Sequence, residues 1–309
     1  MLTAPPGPEG APRTDGTPPK RPVAFGAYVG NEAADLRRLT ALGTWLGGAT
    51  PRVGRVYLPG DRWSNIEGAP NYLSAWARWR SARRDRLLVL NVPMLTRNEA
   101  HLPDRTVRAE LRRGAAGRYD AHFRTLARRL VRLGARDTIL VPGWEMNGIT
   151  YTHRCGPDPR AWKRYWRRLV RAMRSVRGQR FRFEFTPNRG RDAIPWTRCY
   201  PGDRVVDIIG MDAYDAPRRL PFAGQLNEPY GLRAHVRFAR AHRKPFSYPE
   251  WGLYANGDDA AYVRGMLGWI ARTRPLYHSI TDYCPHGVWR CRKNPRATAA
   301  YRAGMRRGR

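Results

Sequence analysis

Short apolar runs alternate with longer stretches of helical periodicity along nearly the whole chain. The runs are VAFGAYV from Val23, RVGRVYLP from Arg52, RLLVLNVPML from Arg86 and TILVPGWE from Thr138, then FRFEFTPN from Phe181, VVDIIGMDAYD from Val205, PFSYPEWGL from Pro245 and YHSITDYC from Tyr277. Each pairs a short apolar core with turn residues at its flanks, as a buried strand does. Helices are expected to begin near Asn31, Pro70, Arg105, Asp158, Tyr230 and Ala260, with a last one near Asn294, while the connection after the fifth run is short. In AWKRYWRRLVRAMRSVR, Trp162, Tyr165, Trp166, Leu169 and Val170 recur at helical spacing and mark one buried stripe between basic positions. Eight strands in strict alternation with helices predict the α/β class and a (β/α)8 TIM barrel as a single domain, because an open doubly wound sheet would need its ends covered. The first strand is followed by FGAYVGNE, which lacks the GxGxxG spacing of a dinucleotide fold.

The first 22 residues hold seven Pro and three Gly with almost no large apolar residue, so 1–22 reads as a disordered linker and 23–309 as the barrel domain. A hydrophobic fraction of 42% is enough for a sizeable core, and no window approaches the roughly 18 to 20 consecutive apolar residues of a membrane span. Charge changes the picture more. The formal net charge is +32, and only Lys20, Lys163, Lys244 and Lys293 among 57 basic residues are lysine. A preference for Arg over Lys does not create an excess over acids, so a polyanion is a candidate neighbour, including an anionic substrate. The arginines recur at helical spacing throughout rather than in one tract, which reads for most of them as solvated helix faces. Specific nucleic-acid binding is not expected, since no recognised module is present.

Cys155, Cys199, Cys284 and Cys291 fit neither a CxxC pair nor a zinc spacing. All four fall in segments that follow strands. Of the three possible pairings, the short interval favours Cys284 with Cys291, leaving Cys155 with Cys199; the alternative is four free thiols in a cytosolic protein. Disulfides argue for an extracellular or cell-surface location, whereas the first residues show no apolar signal region. Either an export segment has been trimmed or the start set downstream of it, or the protein stays inside. His153, His278 and His286 form no metal-ligand spacing, and no serine sits in a GxSxG elbow, so neither a metal nor a cofactor is expected.

In such barrels the reacting side chains stand at the C-terminal ends of strands. That test selects Glu145, ending the fourth run in VPGWEMNG, and Glu250, near the end of the seventh in FSYPEWGL. Glycosidic cleavage needs one protonated carboxyl for the leaving oxygen and one ionised carboxylate for the positive charge developing at the anomeric carbon. Each glutamate alone is readily read as a rim salt bridge; the pair at matching strand ends, beside Trp144 and Trp251, favours chemistry. Aromatic faces are what sugar rings stack on, although one rim tryptophan by itself is more often plain packing. Asp212 and Asp215 are weighed as sugar-hydroxyl ligands against capped strand-end aspartates, and Asn147 and Asn188 as substrate ligands against turn caps. Glu184, alternating with Phe181, Phe183 and Phe185, is expected to pair with arginine near the barrel wall.

GWEMNG, DIIGMDAYD and PEWG on the fourth, sixth and seventh strands resemble glycoside hydrolase family 26 and its relatives, over the barrel from about Val23 to the final NPRATAAYRAGM helix. The resemblance implies a retaining β-glycosidase acting on β-mannan or another polysaccharide by double displacement, with Glu145 as acid/base and Glu250 as nucleophile. It also implies that Tyr214 hydrogen-bonds the nucleophile. Trp144, Asn147, Asp212, Tyr214 and Trp251 are accordingly the candidate substrate-binding residues. Mannanases of the family usually place His immediately before the acid/base, so Trp144 is a departure that points to a divergent subgroup with another substrate. The expected protein is a monomeric polysaccharide hydrolase working without cofactor. The alternative is a non-catalytic carbohydrate-binding barrel.

Overall fold

A computed structural model describes residues 22–307, so the expected linker over 1–22 lies outside the described residues apart from its last position. The strands are β1 (Ala24–Tyr28), β2 (Val53–Tyr57), β3 (Leu87–Val92), β4 (Ile139–Pro142), β5 (Arg182–Phe185), β6 (Ile208–Ile209), β7 (Ala213–Tyr214), β8 (Tyr248–Gly252) and β9 (Tyr277–Thr281). The helices are α1 (Asp35–Trp45), α2 (Trp63–Ile66), α3 (Tyr72–Ser81), α4 (Asp104–Ala115), α5 (Asp120–Arg132), α6 (Pro159–Arg174), α7 (Phe222–Asn227), α8 (Leu232–Ala241), α9 (Ala260–Thr273) and α10 (Pro295–Arg307). After β5 the chain runs over 186–207 with a single 3-10 turn, Trp196–Cys199, and no α-helix, so the connection expected to be short lacks a helix but is not short.

All strand pairs are parallel, in the order β6-β5-β4-β3-β2-β1-β9-β8-β7. The expected sixth strand is two short pieces, β6 and β7, and it closes the barrel: Ile209 bridges Phe246 on one side while Asp212 bridges Asn188 on the other. Between the two pieces lies Gly210, whose N–H still donates to the Phe185 carbonyl at 2.9 Å. A Cβ there would lie 2.3 Å from Glu184 Oε1 and 2.5 Å from Thr186 Oγ1, so a side chain is excluded by the contents of the lumen. The fold is the expected (β/α)8 barrel, with α2, α5 and α7 present beyond the helices expected.

Alternation along each strand separates two apolar layers. Val56, Leu88, Leu90, Leu140, Phe183 and Phe185 face outward and pack under the helices, where Trp76, Trp162, Trp166 and Trp269 fill the gap between helix and sheet. Ala24, Val53, Val89, Ile139, Val141, Ile208 and Tyr277 face inward as a second cluster that fills the base of the barrel. In α6, Asp158 caps the helix by accepting a hydrogen bond from the Ala161 N–H at 3.0 Å, Pro159 opens it, and its apolar stripe is buried against the sheet.

Glu184 sits on the inward face of β5 and is fully buried, but it forms no ion pair with an arginine among the described residues. It accepts hydrogen bonds from Ser247 Oγ and Tyr277 OH, both at 2.6 Å, and from Thr186 Oγ1 at 3.3 Å. Ser247 and Tyr277 come from segments far away in the chain, which local sequence does not reveal, while Thr186 lies two residues on. Burial pushes this carboxyl up, and the three hydroxyls oppose that shift.

Both cysteine pairs are disulfides, Cys155 with Cys199 at a Cα separation of 6.2 Å and Cys284 with Cys291 at 4.9 Å. Each joins loop segments that follow strands, at the C-terminal mouth of the barrel. No helix among the described residues is long and apolar enough to cross a membrane.

Candidate active site

At the C-terminal ends of the strands lies a cleft of about 1390 Å³. Tyr28, Tyr57, Trp144, Tyr151, Tyr214 and Tyr283 give it an aromatic wall, and Glu145 and Glu250 stand in its floor. One carboxylate oxygen from each of Glu145, Glu250 and Asp212 lies within 4.8 Å of the others.

Glu250 is an inward-facing residue of β8, 5% exposed. Inward positions of β2 and β3 supply its partners. The Arg55 guanidinium, itself without solvent exposure, forms an ion pair with Glu250 Oε1 and donates to Tyr57 OH. Tyr57 OH, having accepted from Arg55, donates its own hydrogen to the same Oε1 at 2.6 Å, and Asn91 Nδ2 stands 3.4 Å away. Arg55 is fixed in turn by the Pro249 carbonyl at 3.0 Å and Asn91 Oδ1 at 3.3 Å. The second oxygen, Oε2, accepts from Tyr214 OH at 2.7 Å, whose hydroxyl also meets Thr281 Oγ1 at 2.7 Å. Burial by itself pushes the Glu250 carboxyl up to about 8. The guanidinium and the donors closing on both oxygens favour the charged form, so the negative charge in the lumen is carried as an ion pair.

Glu145 is held differently. It follows β4 in a turn where Gly143 has φ 60° and Glu145 itself φ 50°, a left-handed conformation that is strained for a side-chain-bearing residue. The turn is fixed by Glu145 N–H donating to the Thr186 carbonyl at 2.8 Å and by Gly148 N–H donating to the Glu145 carbonyl at 3.1 Å. A Cβ at Gly143 would meet Met94 Sδ at 2.6 Å, and the φ of 60° at this position favours glycine as well. The Glu145 carboxyl accepts no hydrogen bond from any described residue. Burial first, and the nearby Asp192 second, push it up to about 7, against an opposing pull from Arg55.

Asp212 is wholly buried, and neither side-chain oxygen has a hydrogen-bond partner among the described residues. Burial, reinforced by Glu145, holds its carboxyl well above the usual carboxylate range. Three converging carboxyls around one guanidinium cannot all ionise. Burial raises all three; the Arg55 ion pair and the hydroxyl donors on both oxygens single out Glu250 as the one that carries the charge.

The other sequence candidates separate cleanly. Trp144 lines the cleft at 4% exposure and packs against Tyr57 and Tyr151 at ring separations of 5.5 and 4.9 Å. Tyr214 also lines it. Trp251 does not: it is fully buried behind β8, donates to His278 Nδ1 at 3.2 Å and packs on Tyr262 and Tyr301. Asn147 is also wholly buried and acts as a clasp, donating to the Asn188 carbonyl at 3.0 Å and accepting the Asn188 N–H at 2.8 Å. Asn188, by contrast, reaches the cleft. Asp215 is held by Gln225 Nε2 at 2.7 Å and Asn256 Nδ2 at 2.8 Å, which is the capped-aspartate reading. His153 bonds the Trp144 carbonyl at 2.9 Å.

Arg55, Tyr57 and Asn91 are the site residues that the sequence reasoning missed. Their signal was a polar residue at every second position of otherwise apolar strands, and in so arginine-rich a chain Arg55 did not stand out.

The surplus positive charge is not concentrated here. The cleft is lined by Arg38, Arg189, Arg191 and Arg290 against Glu99, Glu145, Asp192, Glu228, Glu250 and Asp282. Two of those arginines are already engaged, Arg38 with Asp35 and Arg189 with Glu228.

Residues 139–239, about a third of the chain, match the family model of glycosyl hydrolase family 26. No curated protein matches the chain in sequence. Among solved structures, a GH26 β-mannanase from Bacteroides ovatus is 17% identical with a TM-score of 0.69, covering 93% of this chain and 89% of that one. The YdhT protein from Bacillus subtilis is 15% identical at a TM-score of 0.68, covering 91% and 85%. A mannanase from the same organism is 18% identical at 0.64, covering 92% and 86%. At these identities the structural matches speak for the barrel alone; the segment that is similar to glycosyl hydrolase family 26 runs from β4 through α8.

Proposed function

We propose that the protein is a retaining glycoside hydrolase acting on a β-linked polysaccharide, β-mannan or a related glycan, with Glu145 as acid/base and Glu250 as nucleophile. The observation that carries this reading is the approach of their carboxylate oxygens to within 4.8 Å in the floor of an open cleft. Retaining enzymes hold their carboxyls about 5 to 5.5 Å apart, whereas inverting ones leave a wider gap for water. The two environments supply the required asymmetry in their partners: Glu250 is ion-paired with Arg55 and wrapped in donors that offset its burial, while Glu145 is unpartnered and pushed up to about 7.

In the first step Glu250 attacks the anomeric carbon while Glu145 passes its proton to the departing glycosidic oxygen, giving a glycosyl ester and a free sugar hydroxyl. In the second step Glu145, now a carboxylate, takes a proton from water as its oxygen attacks the same carbon, and Glu250 leaves. Tyr214, Tyr57 and Arg55 hold the nucleophile's oxygens through both steps. Trp144 and the tyrosines beside it offer faces for the sugar rings. Trp144 in the position where mannanases usually carry His favours a related glycan over mannan itself. Two disulfides at the mouth fit an extracellular or cell-surface setting. Proton NMR of the first product formed from a panel of β-linked polysaccharides tests the reading: retention is expected, and an inverted first product would overturn it.

A further inference from the structure

We infer that the base of the barrel, opposite the cleft, is a docking surface for an anionic polysaccharide. In a parallel barrel the loops that lead into the strands all lie at one end, away from the mouth. Here every such loop before β2, β3, β4, β5, β6, β8 and β9 carries arginine. The densest part lies before β3, β4 and β5, which are neighbours in the sheet. Arg84, Arg136, Arg177 and Arg180 stand exposed there, and none forms an ion pair with a described residue.

The acids at this end do not neutralise them. Asp85 is paired with Arg83, Asp137 with Arg80, Asp207 with Arg174 and Asp203 with His242. Arginine in a helix's last turn offsets the helix dipole, which accounts for Arg80 and Arg174 but not for cations beyond the helix ends. Arg180 N–H donates to the Arg136 carbonyl at 2.6 Å, so two of these loops touch. With strands about 4.8 Å apart, three adjacent loops span roughly 10 Å, enough for their guanidiniums to meet successive carboxylates along one extended chain.

The chemistry favours a glycan. The large hydrophobics that stand exposed among the described residues are Ile149, Tyr254 and Tyr283, all in loops that follow strands, at the mouth. The base therefore offers nothing to insert into a bilayer and no exposed aromatic face for a base to stack on. A bound polyanion would anchor the barrel by its base and leave the cleft free. This inference does not depend on which glycan the cleft cleaves.

The test measures binding of the full chain to immobilised polygalacturonate, with neutral galactomannan as control, over a salt series. Wild type should be retained on polygalacturonate and released as salt rises. Arg84→Gln, Arg136→Gln, Arg177→Gln and Arg180→Gln together should weaken binding roughly tenfold or more at 0.15 M salt, with turnover of a soluble substrate unchanged. Arg177→Gln with Arg180→Gln, a lighter change, should give an intermediate loss. Arg191→Gln with Arg290→Gln, at the mouth, should leave retention as it was. Unchanged binding by the four-site variant, equal loss from the mouth variant, or tighter binding to phosphatidylglycerol vesicles or duplex DNA than to the glycan would each overturn the inference. Because binding is read separately from turnover, failure of the hydrolase assignment would not be mistaken for failure of this one.

Discussion

Arg55 and Glu250 meet as an ion pair inside the barrel, with side chains 0% and 6% exposed. A charge so placed depends on its partner, since the cost of desolvation is offset only while both are present. Arg55→Met should therefore destabilise the protein by about 3 kcal/mol in denaturant unfolding and reduce kcat roughly 100-fold or more. Without the guanidinium the Glu250 carboxyl should rise further, moving the acid limb of the pH profile of kcat/KM upward. Arg55→Lys keeps the charge but loses the fork to Pro249 and Asn91, so a smaller loss is expected. If Arg55→Met unfolds, the Lys variant still reads the shift of the acid limb.

Glu145 should set the alkaline limb. Its carboxyl is pushed up to about 7, and it must carry a proton to assist the leaving group, so kcat/KM is expected to fall as pH rises through about 7. The same shift bears on stability with a definite sign. A carboxyl whose folded value lies above its unfolded value contributes stability below the unfolded value and loses it as pH rises through the folded one. Glu145→Gln should thus stabilise the protein at pH 8 by about 3 kcal/mol relative to its effect at pH 4, seen as a larger gain in Tm at the higher pH.

The two glutamates should respond differently to truncation. Glu250→Ala should abolish turnover of every substrate, because no glycosyl ester can form. Glu145→Ala should still react with an activated aryl glycoside, stall at the ester and recover with azide, giving a β-glycosyl azide. Product analysis showing an α-azide from Glu145→Ala would exchange the roles assigned here.

Trp144→His tests the substrate assignment. It replaces a ring that packs on Tyr57 and Tyr151 with the residue usual in mannanases of the family. The expected outcome is a higher ratio of kcat/KM on manno-oligosaccharides to that on the preferred glycan, alongside a loss of stability of roughly 2 kcal/mol from the smaller side chain. A fall in both activities by the same factor would show that Trp144 serves packing alone.

Strand-end position was enough to single out Glu145 and Glu250, since a parallel barrel delivers such residues to one rim. It misjudged Trp251 for a reason present in the sequence itself. Consecutive strand residues face opposite ways, so with Glu250 turned inward Trp251 must turn towards the helices. Trp144 and Glu145 escape that constraint because the left-handed turn at Glu145 breaks the alternation, and no residue type in GWEMNG announces a positive φ there. Asn147 reads as a turn cap somewhat more readily than as a ligand, but the clasp it forms shows only once its partner, Asn188, forty-one residues away, is known. Arg55 was hidden by abundance, and Glu184 by two partners, Ser247 and Tyr277, that lie far away in the chain.

The hydroxyl-lined pocket of Glu184, closed over by Gly210 and set above the apolar plug at the base, gives the barrel a solid bottom. The protein is a cup and not a pipe. A glycan cannot thread through it, so the chain must lie across the rim, and both fragments of a severed strand must leave by the side from which it came.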